Sequence, residues 1–177
     1  MLISDNQYLN WQKKLADNKS FRRFWVFWGI YSVLVYGVVV IYFFYHHQGW
    51  EAVAVAAMAA LINRYIICEI IGYFYKKPHP YQKLGFSVIS SWLFSFKDQK
   101  PDSWPSQHAS AAMAISAVIL FYSFPWGLVS VFTALMMGTA RIILGYHYIS
   151  DIIAGWVIGA ISGLIIVNYL APLLFTR

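Results

Sequence analysis

Five long apolar runs constrain this chain more than any other feature of its sequence. Hydrophobic residues make up 60% of the 177 residues and charged residues only 11%, against roughly 25% charged residues in a soluble domain. A helix of about 20 apolar residues crosses the roughly 30 Å of bilayer hydrocarbon. We therefore predict an all-α integral membrane protein with about five transmembrane helices, near residues 24–45, 52–75, 109–124, 126–144 and 149–175.

The N-terminal segment differs in character from the rest of the chain. Residues 1–23 are polar and of mixed charge, and they hold no cleavable apolar core, so we do not interpret them as a signal peptide. They predict an interfacial amphipathic helix, and residues 24–177 then form the transmembrane domain. The apolar side of this predicted helix carries Leu2, Tyr8, Trp11 and Leu15.

The charge distribution indicates the class of partner. The net charge is +6, and the basic residues flank the apolar runs, which favours anionic lipid headgroups or phosphate over nucleic acid. The single cysteine, Cys68, excludes an internal disulfide and a cysteine-rich metal site. The sequence does not define an oligomeric state.

Two further patterns concern packing and loops. Gly155, Gly159 and Gly163 recur every four residues in the last run, which predicts a close contact with a neighbouring helix. The long connection between the second and third runs contains a stretch at 86–96 that predicts a short interfacial helix. With five spans, the N-terminus, the 76–105 connection and the 145–148 turn share one side of the membrane, and the polar clusters all lie there.

The segment "ARIILGYHYISDI" contains the strongest chemical pattern. His147 and Asp151 are four residues apart, so they share one face if His147 begins a helix. A carboxylate that accepts a hydrogen bond from one imidazole nitrogen leaves the other nitrogen bare and nucleophilic. Arg141 precedes the pair, and charged groups at membrane depth are costly and rarely without function. A purely structural His–Asp pair is the alternative.

The segment "PSQHAS" begins the third apolar run. Its backbone N–H groups are the unpaired donors of a helix N-terminus, a place that binds phosphate. Ser106 adds a hydroxyl, and His108 is a candidate general acid. The alternatives are a plain helix cap for Ser106 and an ordinary interfacial histidine for His108.

The segment "YKKPHPYQ" follows the second apolar run. Lys76, Lys77 and His79 are candidates to bind anionic oxygens, although lysines at this position also mark a membrane boundary. Within the run itself, Arg64 and Glu69 are five residues apart and do not share a face of an α-helix well. We interpret those two as structural polar contacts and leave them outside the predicted site.

Together these segments resemble the three-part signature of the type 2 phosphatidic acid phosphatase superfamily, K-x6-R-P, P-S-G-H and S-R-x5-H-x3-D. The resemblance spans roughly residues 50–165, and it is strongest to the small bacitracin-resistance-type undecaprenyl-diphosphatases. The third part matches in type and spacing except that Ala140 replaces the serine. The second part has Gln107 in place of glycine. The first part is eroded, with His79 in place of the arginine and Gly72 in place of the lysine.

The resemblance implies a phosphatase that uses neither a metal nor another cofactor. His147 would attack the terminal phosphorus and form a phosphohistidine, and Asp151 would orient it. His108 would protonate the leaving oxygen and then activate water. The phosphate oxygens would be bound by Arg141, Ser106, the N–H of Gln107, His79, Lys77 and Lys76.

The implied reaction is hydrolysis of a terminal phosphate of a lipid (di)phosphate, foremost undecaprenyl diphosphate to undecaprenyl phosphate. Phosphatidylglycerophosphate, phosphatidic acid and lipid A phosphates remain open as substrates. Two readings without catalysis also remain, a channel or transporter and a catalytically weakened lipid-binding protein. A transport path would spread polar groups through the membrane depth, whereas these gather at one interface.

The orientation in the cell membrane follows from two opposed arguments. Lysines and arginines concentrate on the side of the predicted site, which by the positive-inside rule favours a cytoplasmic site. The resemblance implies a site outside the cytoplasm. We expect the extracytoplasmic arrangement.

Overall fold

The regular secondary structure of this protein is helical wherever it is described. The computed structural model describes residues 4–47, 49–88 and 102–174. Three of the longer helices contain a wide π turn, at Phe27–Tyr31, Asn63–Ile67 and Ile166–Leu170. The helices in chain order are α1 (Asp5–Asp17), α2 (Lys19–Val26 continued by Phe27–Tyr31 and Ser32–His47), α3 (Trp50–Phe74), α4 (Pro80–Leu84), α5 (Gln107–Tyr122), α6 (Phe124–Ile143) and α7 (Ile149–Leu174).

The helix lengths confirm an integral membrane bundle. Within the described residues, α2, α3, α6 and α7 are each long and apolar enough to cross a membrane. The first of these begins at Lys19 rather than near residue 24. The remaining predicted span is α5, which has 16 residues and so a length of about 24 Å. This short helix lies in the interior, where most of its small side chains are buried.

The contact between α5 and α7 is made backbone to backbone. A Cβ atom added at Gly155 would lie 2.7 Å from the carbonyl oxygen of Ser106, and one at Gly163 would lie 2.7 Å from that of Ala114. At Gly159 the added atom would overlap the carbonyl oxygen of Ser110 still more severely. The prediction that these glycines allow a close approach of helices is therefore confirmed.

Buried polar side chains connect the helices across the bundle. Asn63 of α3 is fully buried and accepts hydrogen bonds from the hydroxyls of Ser110 on α5 and Ser162 on α7, each at 2.8 Å. The hydroxyl of Tyr36 on α2 lies 2.7 Å from that of Ser116 on α5. Because hydrocarbon offers no substitute partners, these hydrogen bonds favour one relative placement of the helices.

The N-terminal helix packs against protein rather than presenting its whole apolar side to lipid. Tyr8 and Leu15 are 0% and 2% exposed. The Tyr8 hydroxyl donates to the carbonyl of His147 at 3.3 Å, and the Gln12 amide donates to the carbonyl of Ile143 at 3.2 Å. Thus α1 covers the turn between α6 and α7. The predicted position of Leu2, and most of the helix predicted at 86–96, lie outside the described residues.

We expect Gly159→Ala to destabilise the bundle although alanine favours helix. The added methyl group meets backbone that has little room to retreat, so the free energy of unfolding should fall by about 1–3 kcal/mol. Gly37→Ala is the matched control, because a Cβ atom there has no neighbour within 4 Å. It should leave stability unchanged or raise it by up to about 1 kcal/mol. Thermal unfolding in detergent measures both, and equal effects of the two changes would contradict the proposed contact.

Candidate active site

The predicted chemical residues gather at one end of the bundle. Helices α3 and α6 end there, and α5 and α7 begin there. The two ends of the long connection meet at this place, since the Ser103 N–H donates to the carbonyl of Lys77 at 2.7 Å. This bond brings the "KPHP" and "PSQH" segments together, although about 25 residues separate them in the chain.

The turn after α6 explains the spacing between Arg141 and His147. The carbonyl of Arg141 accepts hydrogen bonds from the backbone N–H groups of Tyr146 at 2.9 Å and His147 at 3.3 Å. Gly145 has a φ of +81°, a conformation that side chains with a Cβ rarely adopt, and the ring of Phe86 occupies the space a Cβ would need. The chain therefore folds back and brings His147 over the end of α6.

Asp151 holds the first turn of α7 in place. Its Oδ2 accepts a hydrogen bond from the Tyr148 N–H at 2.9 Å, and its Oδ1 accepts one from Lys77 Nζ. Lys77 also donates to the Ser150 hydroxyl at 2.9 Å and lies over the ring of Tyr148. The structure thus places the Lys77 ammonium on Asp151, where it neutralises a fully buried carboxylate.

The hydrogen bonds of His147 determine which ring nitrogen is bare. Its Nδ1 lies 3.1 Å from the carbonyl oxygen of Ser103 and 3.8 Å from Oδ2 of Asp151. Both neighbours accept hydrogen bonds, so Nδ1 carries the proton and Nε2 has the free lone pair. The nearest acceptor is therefore a backbone carbonyl rather than the expected carboxylate, but the resulting tautomer is the same.

His79 lies directly beside His147. It is buried, its Nδ1 donates to the carbonyl of Tyr146 at 2.6 Å, and its ring centroid is 5.1 Å from that of His147. His79, which replaces the arginine of the first motif part, is therefore brought into contact with His147. Lys76, in contrast, is exposed at the surface.

Ser106 does not act as an ordinary helix cap. It precedes α5, is fully buried, and makes no side-chain capping hydrogen bond. Its hydroxyl has no hydrogen-bond partner within residues 4–47, 49–88 and 102–174. Its backbone N–H donates to the carbonyl of Asp151 at 3.1 Å. A buried hydroxyl at the N-terminus of a helix of 16 residues suits an anionic oxygen.

His108 and Gln107 meet the two charged residues that we had left outside the site. His108 Nε2 lies 3.3 Å from Nη1 of Arg64, and the Gln107 amide donates to Glu69 at 2.8 Å. His108 is also near enough to Arg141 and His147 to interact electrostatically. His108 therefore lies among positive groups contributed by α3 and α6.

A π turn explains why both Arg64 and Glu69 reach α5. The N–H of Cys68 bonds to the carbonyl of Asn63, five residues earlier, so one turn here contains an extra residue. Residues five apart then lie on one face, and our argument from a regular α-helix was wrong. The signal that could have found Arg64 was its charge at membrane depth.

The electrostatics of the turn favour the neutral form of His147. Burial lowers the pKa of His147 to about 4, and the charges of His79 and Arg141 act in the same direction. Burial also raises the pKa of the neighbouring Tyr146 to about 12. Above about pH 5 the imidazole of His147 is therefore unprotonated and able to attack an electrophile.

The site combines positive and neutral groups with two carboxylates that neighbouring side chains already contact. Across the described ranges, no three His, Cys, Asp or Glu side chains are grouped to hold a metal ion. Asp151 is held by Lys77, and Glu69 accepts a hydrogen bond from Gln107. The remaining polar groups suit an anion.

Comparisons with known proteins found a family model and a curated relative. The model of the PAP2 superfamily matches residues 52–173. The chain is 26% identical over 145 residues to the undecaprenyl-diphosphatase BcrC of Bacillus subtilis (strain 168), a match that covers 78% of this chain and 69% of that protein. No solved structure matches the chain significantly.

The pKa of His147 is directly measurable by NMR. In protein with labelled histidine, the resonance that disappears in His147→Gln should titrate with a midpoint near 4, because burial disfavours the charged ring. It should therefore not change between pH 7 and pH 6. A midpoint near 6.5, the ordinary value for histidine, would show that the ring is exposed to water and would contradict the site geometry.

Proposed function

The chain belongs to the PAP2 superfamily, and we propose from this that it hydrolyses undecaprenyl diphosphate to undecaprenyl phosphate through a phosphohistidine. A lipid phosphatase activity follows from the family, and the named relative acts on a diphosphate. The observation that carries the finer proposal is the bare Nε2 of His147 within a cluster of cationic groups. This cluster lies at one end of a membrane bundle, the end at which a lipid headgroup would enter.

In the proposed first step, Nε2 of His147 attacks the terminal phosphorus. A P–N bond forms, and the bond from that phosphorus to the bridging oxygen breaks in line with it. The electron pair remains on the bridging oxygen, which leaves as part of the lipid phosphate. His108 protonates this oxygen only after its ring has taken up a proton, because in the structure Nε2 of His108 accepts from Arg64. The Nδ1 proton is retained, and its bonds to the carbonyl of Ser103 and toward Asp151 stabilise the positive ring.

In the second step, His108 takes a proton from water as the water oxygen attacks the phosphohistidine. The P–N bond breaks, inorganic phosphate leaves, and His147 returns to its neutral form. This exchange of acid and base roles lets one residue serve both steps.

Phosphate binding in this proposal relies on preorganised donors. Arg141, the Ser106 hydroxyl and the N–H of Gln107 bind the equatorial oxygens as charge spreads over them. His79 lies beside the attacking ring, and as an imidazolium it would donate from Nε2 to a phosphate oxygen. Lys77 contributes through Asp151, and the exposed Lys76 attracts the headgroup from the surface.

In this proposal the positive groups stabilise the negative charge of the phosphate, as a metal ion does in other phosphatases. Arginine binds two phosphate oxygens at once through its planar fork, and the N-terminus of α5 adds a partial positive charge. We therefore propose that hydrolysis requires no metal. We also propose that the protein resides in the cell membrane with its site outside the cytoplasm.

His147→Ala should abolish hydrolysis. Loss of the attacking nitrogen removes the covalent route, so phosphate release from undecaprenyl diphosphate should fall at least about 1,000-fold. The acid-labile protein-bound phosphate that forms with labelled substrate should also disappear. His46→Ala is the matched control, because His46 is exposed near the C-terminal end of α2, away from the site. This variant should retain full activity. Equal activity of His147→Ala and His46→Ala would refute the nucleophile.

A panel of lipid phosphates tests substrate and metal requirement together. In detergent with excess EDTA, phosphate release should be greatest from undecaprenyl diphosphate and unchanged by the chelator. Phosphatidylglycerophosphate, phosphatidic acid and lipid A serve as competitors in the same assay. Complete loss of activity with EDTA, regained on adding a divalent metal, would overturn the metal-free mechanism, and a preference for a phosphate monoester would overturn the substrate.

A further inference from the structure

Arg64 is a charged group near the reaction that none of the three motif parts contains. It lies in the π turn of α3, ten residues before the end of that helix at Phe74. Ten residues of helix correspond to about 15 Å. A guanidinium at this depth in a membrane helix is costly unless it meets a polar partner.

The contacts of Arg64 place it on the leaving-group side of the site. Its Nη1 faces Nε2 of His108 at 3.3 Å, and a guanidinium can only donate, so Nε2 of His108 accepts. Its Nε is buried and has no hydrogen-bond partner among the described residues. His108 is the proposed acid for the departing oxygen. Arg64 therefore lies next to the place where that oxygen leaves.

The surrounding charges favour an anion between these groups. Arg64 and Arg141 are near enough to interact unfavourably. Of the carboxylates in the described part of the site, Asp151 is bound by Lys77, and Glu69 accepts a hydrogen bond from Gln107. An anion that reaches both guanidinium groups relieves their repulsion. In a diphosphate, a terminal phosphate beside His147 and Arg141 carries a second phosphate on the side of the departing oxygen, where Arg64 faces His108.

We propose that Arg64 binds the phosphate that remains with the lipid and thereby makes the site selective for diphosphates over monophosphates. The inference rests on the proposed function and deepens it. When the bond between the terminal phosphorus and the bridging oxygen breaks, the electron pair stays on the departing lipid phosphate. Arg64 stabilises this growing negative charge with charge-assisted hydrogen bonds.

A lipid monophosphate gains nothing comparable from Arg64. Its leaving group is an alcohol, whose oxygen needs the proton of His108 and carries no phosphate oxygens for a guanidinium. Removal of Arg64 should therefore affect the two substrate classes unequally. A residue that only positioned His108 would affect both equally, because His108 serves both reactions.

The test compares farnesyl diphosphate with farnesyl phosphate, two substrates with the same tail. In Arg64→Gln, we expect kcat/KM for the diphosphate to fall about 10- to 100-fold, the range for loss of a hydrogen bond to a charged group. The monophosphate should change less than about threefold. Arg64→Lys should recover part of the diphosphate activity, and Arg22→Gln, an exposed arginine on α2, should match the wild type with both substrates.

A binding measurement separates this inference from the proposed function. In the His147→Ala background, Arg64→Gln should weaken binding of a farnesyl methylenediphosphonate about 10-fold or more and leave binding of farnesyl phosphonate nearly unchanged. If the wild type hydrolyses neither substrate but this selective loss occurs, the proposed reaction fails and the subsite stands. Equal loss for both ligands, or no loss for either, overturns the role of Arg64 whatever the wild-type activity.

Discussion

The backbone contact between α5 and α7 is the constraint on which the rest of this structure depends. Three glycines of α7 lie against carbonyl oxygens of α5, with no room for a side chain. This contact aligns the N-termini of the two helices, and the Ser106 N–H reaches the carbonyl of Asp151. The unpaired donors of α5 therefore meet the turn that carries His147. A wider helix separation would leave a similar fold and disassemble the site.

Backbone carbonyls prepare the chemistry of the site as much as side chains do. The carbonyls of Ser103 and Tyr146 each accept from a histidine Nδ1 and fix the tautomers of His147 and His79. Lys77 neutralises Asp151, which would otherwise be a buried charge without compensation. The result is a neutral imidazole, that of His147, next to cationic groups. The positive charges of the protein outnumber its negative charges here, so a bound phosphate would bring the local charge closer to neutral. Such an arrangement would suit attack on a highly charged phosphate.

Particular residues show where prediction from the pattern was sound and where it was not. The spacing of Arg141, His147 and Asp151 predicted a common cluster, since one turn and one helix start connect them locally. Arg64 and Glu69 were expected to lie on different faces of the helix, which was wrong, because a π turn adds a residue to the helical period there. The apolar side of α1 was expected to meet lipid, yet Tyr8 packs on the turn at His147. Amphipathicity indicates that a face is buried but not what buries it.

The sequence by itself determined the membrane bundle, the glycine contact and the residue types of the proposed site. The length of the hydrophobic runs predicts the membrane bundle, and the lack of a side chain on glycine predicts the helix contact. The residues of the proposed site follow from chemistry that few residue types can perform. Only the tertiary structure decided that Ser103 offers His147 its nearest acceptor, that Lys77 holds Asp151, and that Arg64 stands beside His108. Those pairings join residues from 44 to 74 positions apart. Local periodicity carries no information over such separations, because the helix packing sets which side chains meet.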